Sequence, residues 1–354
     1  MVKLLWTQPD SVESVRELVQ TAINLEFSTL PPYLYALLSI PPGENREAQA
    51  RIHGISMQEM IHMCLACNIM NAIGGSPAVV APRYPGPLPG DVAGGITIHL
   101  YRFSPEAIDQ GLNIEQPEDP IDPPVLRKAM KAGSTSEVTI GEYYERLKLA
   151  LSQLPASDWH ADRHQIDDSQ FMQGNLFKVN NYDDAARAID NIVSEGEGTS
   201  QSSSSKGSPL DFQNQLAHYY RFKEIHEDLV LTKADNTVGY QWGPQTLGVD
   251  WDQVFKAIPD PEQHDFSQEP AAAREAQAEC NAAYAAMIRA LEGAVNGQVG
   301  QLGVAVREMF NLRMAAIKAF NTPLNSGLVA GPAFIVPGAP WVASNDAQAK
   351  GAVA

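Results

Sequence analysis

Residues 53–71, HGISMQEMIHMCLACNIMN, constrain this chain more than any other stretch. Steps of four and three from Ile55 give Ile55, Glu59, His62, Ala66, Ile69 and Ile73, one seam of a packed helix. Glu59 and His62 stand in that seam and face the core. A carboxylate buried there without a partner is too costly to keep its charge and takes up a proton instead. The helix therefore has to meet something cationic inside the fold: an arginine, a lysine or a metal ion. Taken alone, one Glu-x-x-His does not choose among them.

The other helical segments narrow the choice. Residues 11–40 read as a long helix in which Val15, Val19, Ala22 and Glu26 share a seam, with Pro31 and Pro32 expected to bend it just after Glu26. Residues 138–154 read as a helix that places Val138, Glu142 and Leu149 on one face and turns Glu145 to solvent. The stretch from Leu210 to Lys233 reads as one long helix capped by Asp211. Its seam is Gln215, His218, Phe222, Ile225 and Leu229, with Glu224 and His226 off it. In chain order the polar interruptions are Glu, Glu-x-x-His, Glu and Gln-x-x-His. With Glu in place of that Gln, this is the ligand pattern of ferritin-like carboxylate bundles that hold two iron or manganese ions. Imidazoles and bridging carboxylates on rigid helices suit such ions, and the i, i+3 spacing puts both side chains of a pair on one helical face. The expected metal ligands are Glu26, Glu59, His62, Glu142 and His218, with Gln215 as a further candidate that is a poorer, uncharged ligand. Tyr33, Tyr143, Tyr219 and Phe222 are candidates to line a substrate pocket.

Of 354 residues, 44% are hydrophobic, enough for a substantial core, and the formal charge is −17. An acidic chain of this kind is not built for nucleic acid or for an anionic membrane surface. No apolar run reaches membrane-spanning length and the first residues carry no secretory signal, so a cytoplasmic location is expected. The three cysteines are too few for a disulfide framework, and Cys64 and Cys67 read as small buried hydrophobes. The expected organisation is a single all-α domain over residues 1–335: a ferritin-like four-helix bundle with additional C-terminal helices. Long irregular connections fall at about 74–136 and 232–270, and a tail at 336–354. Two further helices are expected at 269–295 and 301–320, and the Ser/Gly run after SEGEG reads as a mobile stretch.

The segments NLEFSTLPPYLYALLSI, QEMIHMCLACNIMNAIGG, TIGEYYERL, AIDNIVSEGEGT, LAHYYRFKEI and AGPAF resemble the ferritin-like domain of the iminophenyl-pyruvate dimer synthases of violacein and rebeccamycin biosynthesis. The resemblance runs from about residue 10 to residue 335. Those synthases are much longer, so this chain looks like a stand-alone member. The resemblance implies an O2-using oxidative enzyme of secondary metabolism. It would act on a small, amino-acid-derived metabolite, with oxidative coupling of imine-like units as one reaction. The implied cofactor is iron, as one ion or two, with manganese as the other candidate. It also draws attention to Glu195 and Glu197, the latter as a candidate ligand or proton relay. A metal-binding or storage protein without organic chemistry is the alternative, and the oligomeric state stays open.

Overall fold

The computed structural model describes residues 2–90, 95–117, 137–167, 175–197, 209–211, 213–233, 240–298 and 300–338. Among them are eight α-helices: α1 (Val12–Leu38), α2 (Arg46–Ala72), α3 (Pro105–Ile114), α4 (Ile140–Ser152), α5 (Tyr182–Glu197), α6 (His218–Glu227), α7 (Ala271–Val295) and α8 (Gln301–Phe320). The strands are short. They pair as β1 (Leu4–Leu5) with β4 (Glu137–Val138), β2 (Gly86–Pro87) with β3 (Thr97–Ile98), and β5 (Leu231–Lys233) with β6 (Tyr240–Trp242), all antiparallel. The fold is all-α in class.

α1 and α2 pack along each other as a long hairpin, α4 and α5 lie against them, and α3 and α6 pack on one another beside this bundle. α7 and α8 form a second hairpin that rests on α1 and α2. Local chemistry starts three of these helices. Ser11 and Ser14 exchange side-chain-to-backbone bonds of 3.0 and 3.2 Å at the head of α1. Ser104 caps α3, with Pro105 at its first position. Thr139 caps α4 through the Glu142 amide at 3.1 Å.

α1 runs through Pro31 and Pro32 as one helix. Pro32 has no amide hydrogen to give the Ser28 carbonyl four residues back. The Tyr84 hydroxyl donates to that carbonyl instead, at 2.6 Å. The side chain of Gln20 also pairs with both backbone groups of Ala78 at 2.9 Å, so the connection after α2 is laid along α1. Both cysteines of α2 are buried and free.

Two expectations are corrected. The connection over 74–136 is not wholly irregular: it contains a helix, α3, and the pairing of β2 with β3. The helix expected from Leu210 to Lys233 is only ten residues long, His218 to Glu227. Asp211 does not cap it: its carboxylate accepts the Gln213 and Gln215 amides, both at 2.8 Å, and so closes a loop bridged by Leu210 and Leu216. An aspartate that binds its own backbone two and four residues on competes with helix. At the other end Asp228 turns left-handed (φ 51°) and the chain leaves as β5. The Ser/Gly run and residues 339–354 of the expected tail lie outside the described residues.

Candidate metal centre

The seam of α2 is buried as its period requires, with Glu59 and His62 3% and 1% exposed. Glu26 of α1 faces them, buried. His218 is the first residue of α6, and Glu115 follows the last turn of α3; both are buried. These five residues form two triads that share one member: Glu26, Glu59 and His62, and Glu59, Glu115 and His218. Within each triad the ligand atoms lie within 4.8 Å of one another. His62 Nδ1 is 3.4 Å from Glu26 Oε2 and 3.8 Å from Glu59 Oε1. His218 Nδ1 is 2.8 Å from that same Glu59 Oε1 and 3.6 Å from Glu115 Oε2. The two imidazoles lie nearly parallel, 5.5 Å apart.

Each of these side chains is also held from behind. His62 Nε2–H donates to Glu195 Oε2 at 2.8 Å, and His218 Nε2–H to Gln58 Oε1 at 3.2 Å. With Nε2 engaged in this way, Nδ1 of both imidazoles points between the carboxylates, and in the neutral ring it presents its lone pair there. The Thr29 hydroxyl donates to Glu59 Oε2 at 2.9 Å and the Tyr33 hydroxyl to Glu115 Oε1 at 2.6 Å. The Tyr144 hydroxyl donates to Glu26.

The electrostatics are those of a site short of positive charge. Burial, and then the neighbouring Glu115 and Glu26, push the Glu59 carboxyl up to about 7. Burial alone would raise Glu26, but His62 outweighs it and holds Glu26 below the usual carboxylate range. Burial would depress both imidazoles. Glu195 and Glu26 instead hold His62 well above its ordinary value, and Glu115 and Glu59 raise His218. Burial and adjacent carboxylates keep the Tyr33 and Tyr144 phenols protonated far beyond neutral pH.

The residues fit a pair of divalent cations. Three carboxylates converge with two imidazoles, each fixed through its far nitrogen by an acceptor, as metal-bound histidines are. The buried Nδ1 of His218 has no hydrogen-bond partner of acceptable geometry although Glu59 is 2.8 Å away. A buried imidazole nitrogen left without a well-placed partner is costly, and a cation between Glu59 and Glu115 would engage it. All-nitrogen-and-oxygen ligation favours iron or manganese over thiolate-seeking metals. Beside the carboxylates is a cavity of about 40 Å³, walled by Leu25, Ile114, Ile140, Ile192 and Val193.

The structure brings together Glu26, Glu59, His62 and His218 but not Glu142 or Gln215. Glu142 is 40% exposed and pairs with Arg146 at 2.6 Å. Its helix was phased on Leu149, which is itself 63% exposed, and the inward positions of α4 belong to Gly141 and Tyr144. Gln215 is exposed, in the loop before α6, and bonds Gln213 and Arg221. Glu145 is on the surface with Lys148. Glu224 is buried against Arg51, and His226 is exposed beside Asp109 and Glu227.

Of the expected pocket aromatics, Tyr33 touches the centre and Phe222 packs on Tyr33, with ring centroids 5.1 Å apart. Tyr143 donates to the Leu18 carbonyl and packs edge-on to Trp6, away from the cavity. Tyr219 lies in a separate cluster with Tyr220 and Leu231. The side chain of Glu197 lies outside the described residues. Sequence reasoning gave no part to Glu115, Gln58 or Tyr144, and no role to Glu195. The Ser-Pro-Glu start signal at residues 104–106 was available for α3, and Glu115 follows from it.

Among the described residues, no helix is long and apolar enough to cross a membrane. A family model for ferritin-like proteins matches residues 19–227, which include every member of the two triads. The crystal structure of a ferritin-like protein from Caulobacter vibrioides superposes with a TM-score of 0.61 at 22% identity, over 93% of this chain and 99% of that one, and shows the same fold. No curated protein matches the chain in sequence. Proteins of this fold family commonly bind iron, and the buried Glu/His cluster sits within the matched stretch. The chain belongs to the ferritin-like family.

Proposed function

We propose that the protein is an O2-using oxidoreductase with a two-metal centre, iron before manganese. The observation that carries this reading is Glu59. One buried carboxylate shared by two Glu/His triads is the arrangement that places two ions side by side. Iron bound there would supply one-electron chemistry toward O2. Glu26 and His62 would hold one ion, Glu115 and His218 the other, and Glu59 would bridge them.

The remaining residues orient and shield. Tyr144 and Tyr33 stay protonated and keep one oxygen of Glu26 and of Glu115 occupied, which leaves the other oxygen to face inward. Thr29 does the same for Glu59. Leu25, Ile114, Ile140, Ile192 and Val193 keep bulk water from the carboxylates, which strengthens every charge interaction inside. The substrate in this reading is a small, amino-acid-derived metabolite. Coupling of imine-like units, as in the dimer synthases this chain resembles, is its most specific form.

The cavity favours a second reading as well. At about 40 Å³ it holds about three water-sized groups. That suits O2 and metal-bound water better than an organic molecule, and supports iron binding or storage without organic chemistry. The test is emission spectroscopy on protein purified after iron supplementation, followed by O2 uptake of the anaerobically reduced protein. Two irons per chain and O2 uptake stimulated by an added amine or imine support the oxidoreductase. Two irons and unstimulated O2 uptake support storage. Protein that takes up no metal overturns both.

A further inference from the structure

A second cleft, of about 380 Å³, lies away from the metal centre and is lined by Arg102, Trp251, Asp252, Lys256, Pro259 and Leu328. It sits by the N-terminal end of α3, whereas Glu115 follows the C-terminal end. The ten residues of α3 span roughly 15 Å.

Its walls are fixed. Trp251 stacks on the buried Phe103 with centroids 4.7 Å apart, and the Phe103 amide is tied to Ser39 Oγ at 2.7 Å. The floor is a parallel bridge in which Val329 N–H donates to the Lys256 carbonyl at 3.0 Å and Ile258 N–H to the Val329 carbonyl at 3.1 Å. Asp260 closes the back by accepting the Leu100 amide at 2.8 Å and His99 at 2.6 Å.

What marks the cleft is two cations on one concave wall beside an indole. Arg102 and Lys256 form no ion pair among the described residues, and the one acid on the wall, Asp252, pairs with neither. We infer that this cleft binds a small organic monoanion: a carboxylate set between Arg102 and Lys256, carrying a flat apolar body that lies against Trp251 and Leu328. On the wall itself two cations face one acid, Asp252, and Asp260 behind it is taken up by the Leu100 amide and His99, so a carboxylate meets both cations. A guanidinium engages a carboxylate through two parallel bonds, and an indole offers a face to a planar ring. The volume lies in the range of small-molecule sites.

The probe is 1-naphthoate, titrated into the metal-loaded protein by calorimetry, with uncharged 1-naphthamide as its partner. Saturable binding of the acid is expected at sub-millimolar concentration, with the amide at least tenfold weaker. Arg102→Gln should weaken the acid about tenfold. The Arg102→Gln/Lys256→Gln pair should reduce the acid to the level of the amide. Metal content and melting temperature of the variants report that the fold is intact. Failure of the acid to bind by 5 mM (about the upper limit of a millimolar site), equal binding of acid and amide, or full binding by an intact double variant each overturns the inference. None of these outcomes bears on the metal centre, whose occupancy is measured separately.

Discussion

The two halves of the centre are built from different materials. Glu26, Glu59 and His62 project from the middles of two 27-residue helices, where several turns on either side hold the backbone. Glu115 and His218 stand at element ends, one just past α3 and the other at the first residue of α6. The supports differ too. His62 leans on an anion, Glu195, and His218 on a neutral amide, Gln58. A carboxylate behind an imidazole makes it a more basic ligand than an amide does. The first half is therefore the stiffer and the tighter, and the second is the half that yields first. Gln215, the poorer ligand the sequence offered, is exposed and takes no part in that difference.

The comparison breaks most decisively at the shared residue. Glu59→Ala should abolish metal binding in both halves, whereas His218→Ala should lose one ion and keep the other, as counted by emission spectroscopy. A Glu59→Ala variant that retains one ion per chain would show that the halves are independent. Next in size, Glu195→Gln should lower affinity at the His62 half about 10- to 100-fold. Gln58→Leu should do less at the other half, and equal losses in competition titrations would erase the distinction between anionic and neutral support.

Protons supply a third test. Glu59 titrates near 7 in the metal-free protein, so a proton competes with the bridging role below that pH. Metal uptake should weaken as pH falls from 8 to 6. The stability of the metal-free protein should move the opposite way. A carboxyl raised in the fold stabilises it most below the ordinary value of 4.5, and that contribution fades as pH rises through about 7. Raised imidazoles fade in the same direction. The lowered carboxyls of Glu26 and Glu195 contribute fully throughout that range. Metal-free protein should thus melt at a lower temperature at pH 8 than at pH 6. A higher melting temperature at pH 8 would mean that the carboxylates are already compensated without metal. The smallest effect is expected of Glu142→Ala. Metal content should not change, and stability should shift by about 0.3–0.5 kcal/mol, as for an exposed i, i+4 pair.

The same contrast separates what was legible in the sequence from what was not. Periodicity reports the middle of a long helix, where burial repeats every three or four residues, and it found Glu26, Glu59 and His62. It found His218 as well, but by way of a helix that proved to begin there, so the step back to Gln215 had no helical turn to stand on. Glu115 follows a short helix within a Pro- and Gly-rich connection, where too few turns exist for a period to show. On α4 the period was read from Val138 and Leu149. One precedes the helix in a strand and the other is on the surface, so Glu142 was turned inward and Tyr144 overlooked. The bundle itself needed only the long apolar seams, which is why the architecture was readable where the second triad was not.

The carbonyl of Ser28 has a consequence for how this molecule folds. α1 cannot complete its own backbone bonding at Pro32, and the missing bond comes from Tyr84, 56 residues along the chain. The helix that carries Glu26 and Thr29 is thus not an autonomous folding unit. The Ser28 carbonyl gains its partner only once the crossing segment has docked. Native-state hydrogen exchange should then register the C-terminal half of α1 and the segment around Tyr84 as one cooperative opening unit. The scaffold of the centre would assemble in a single step.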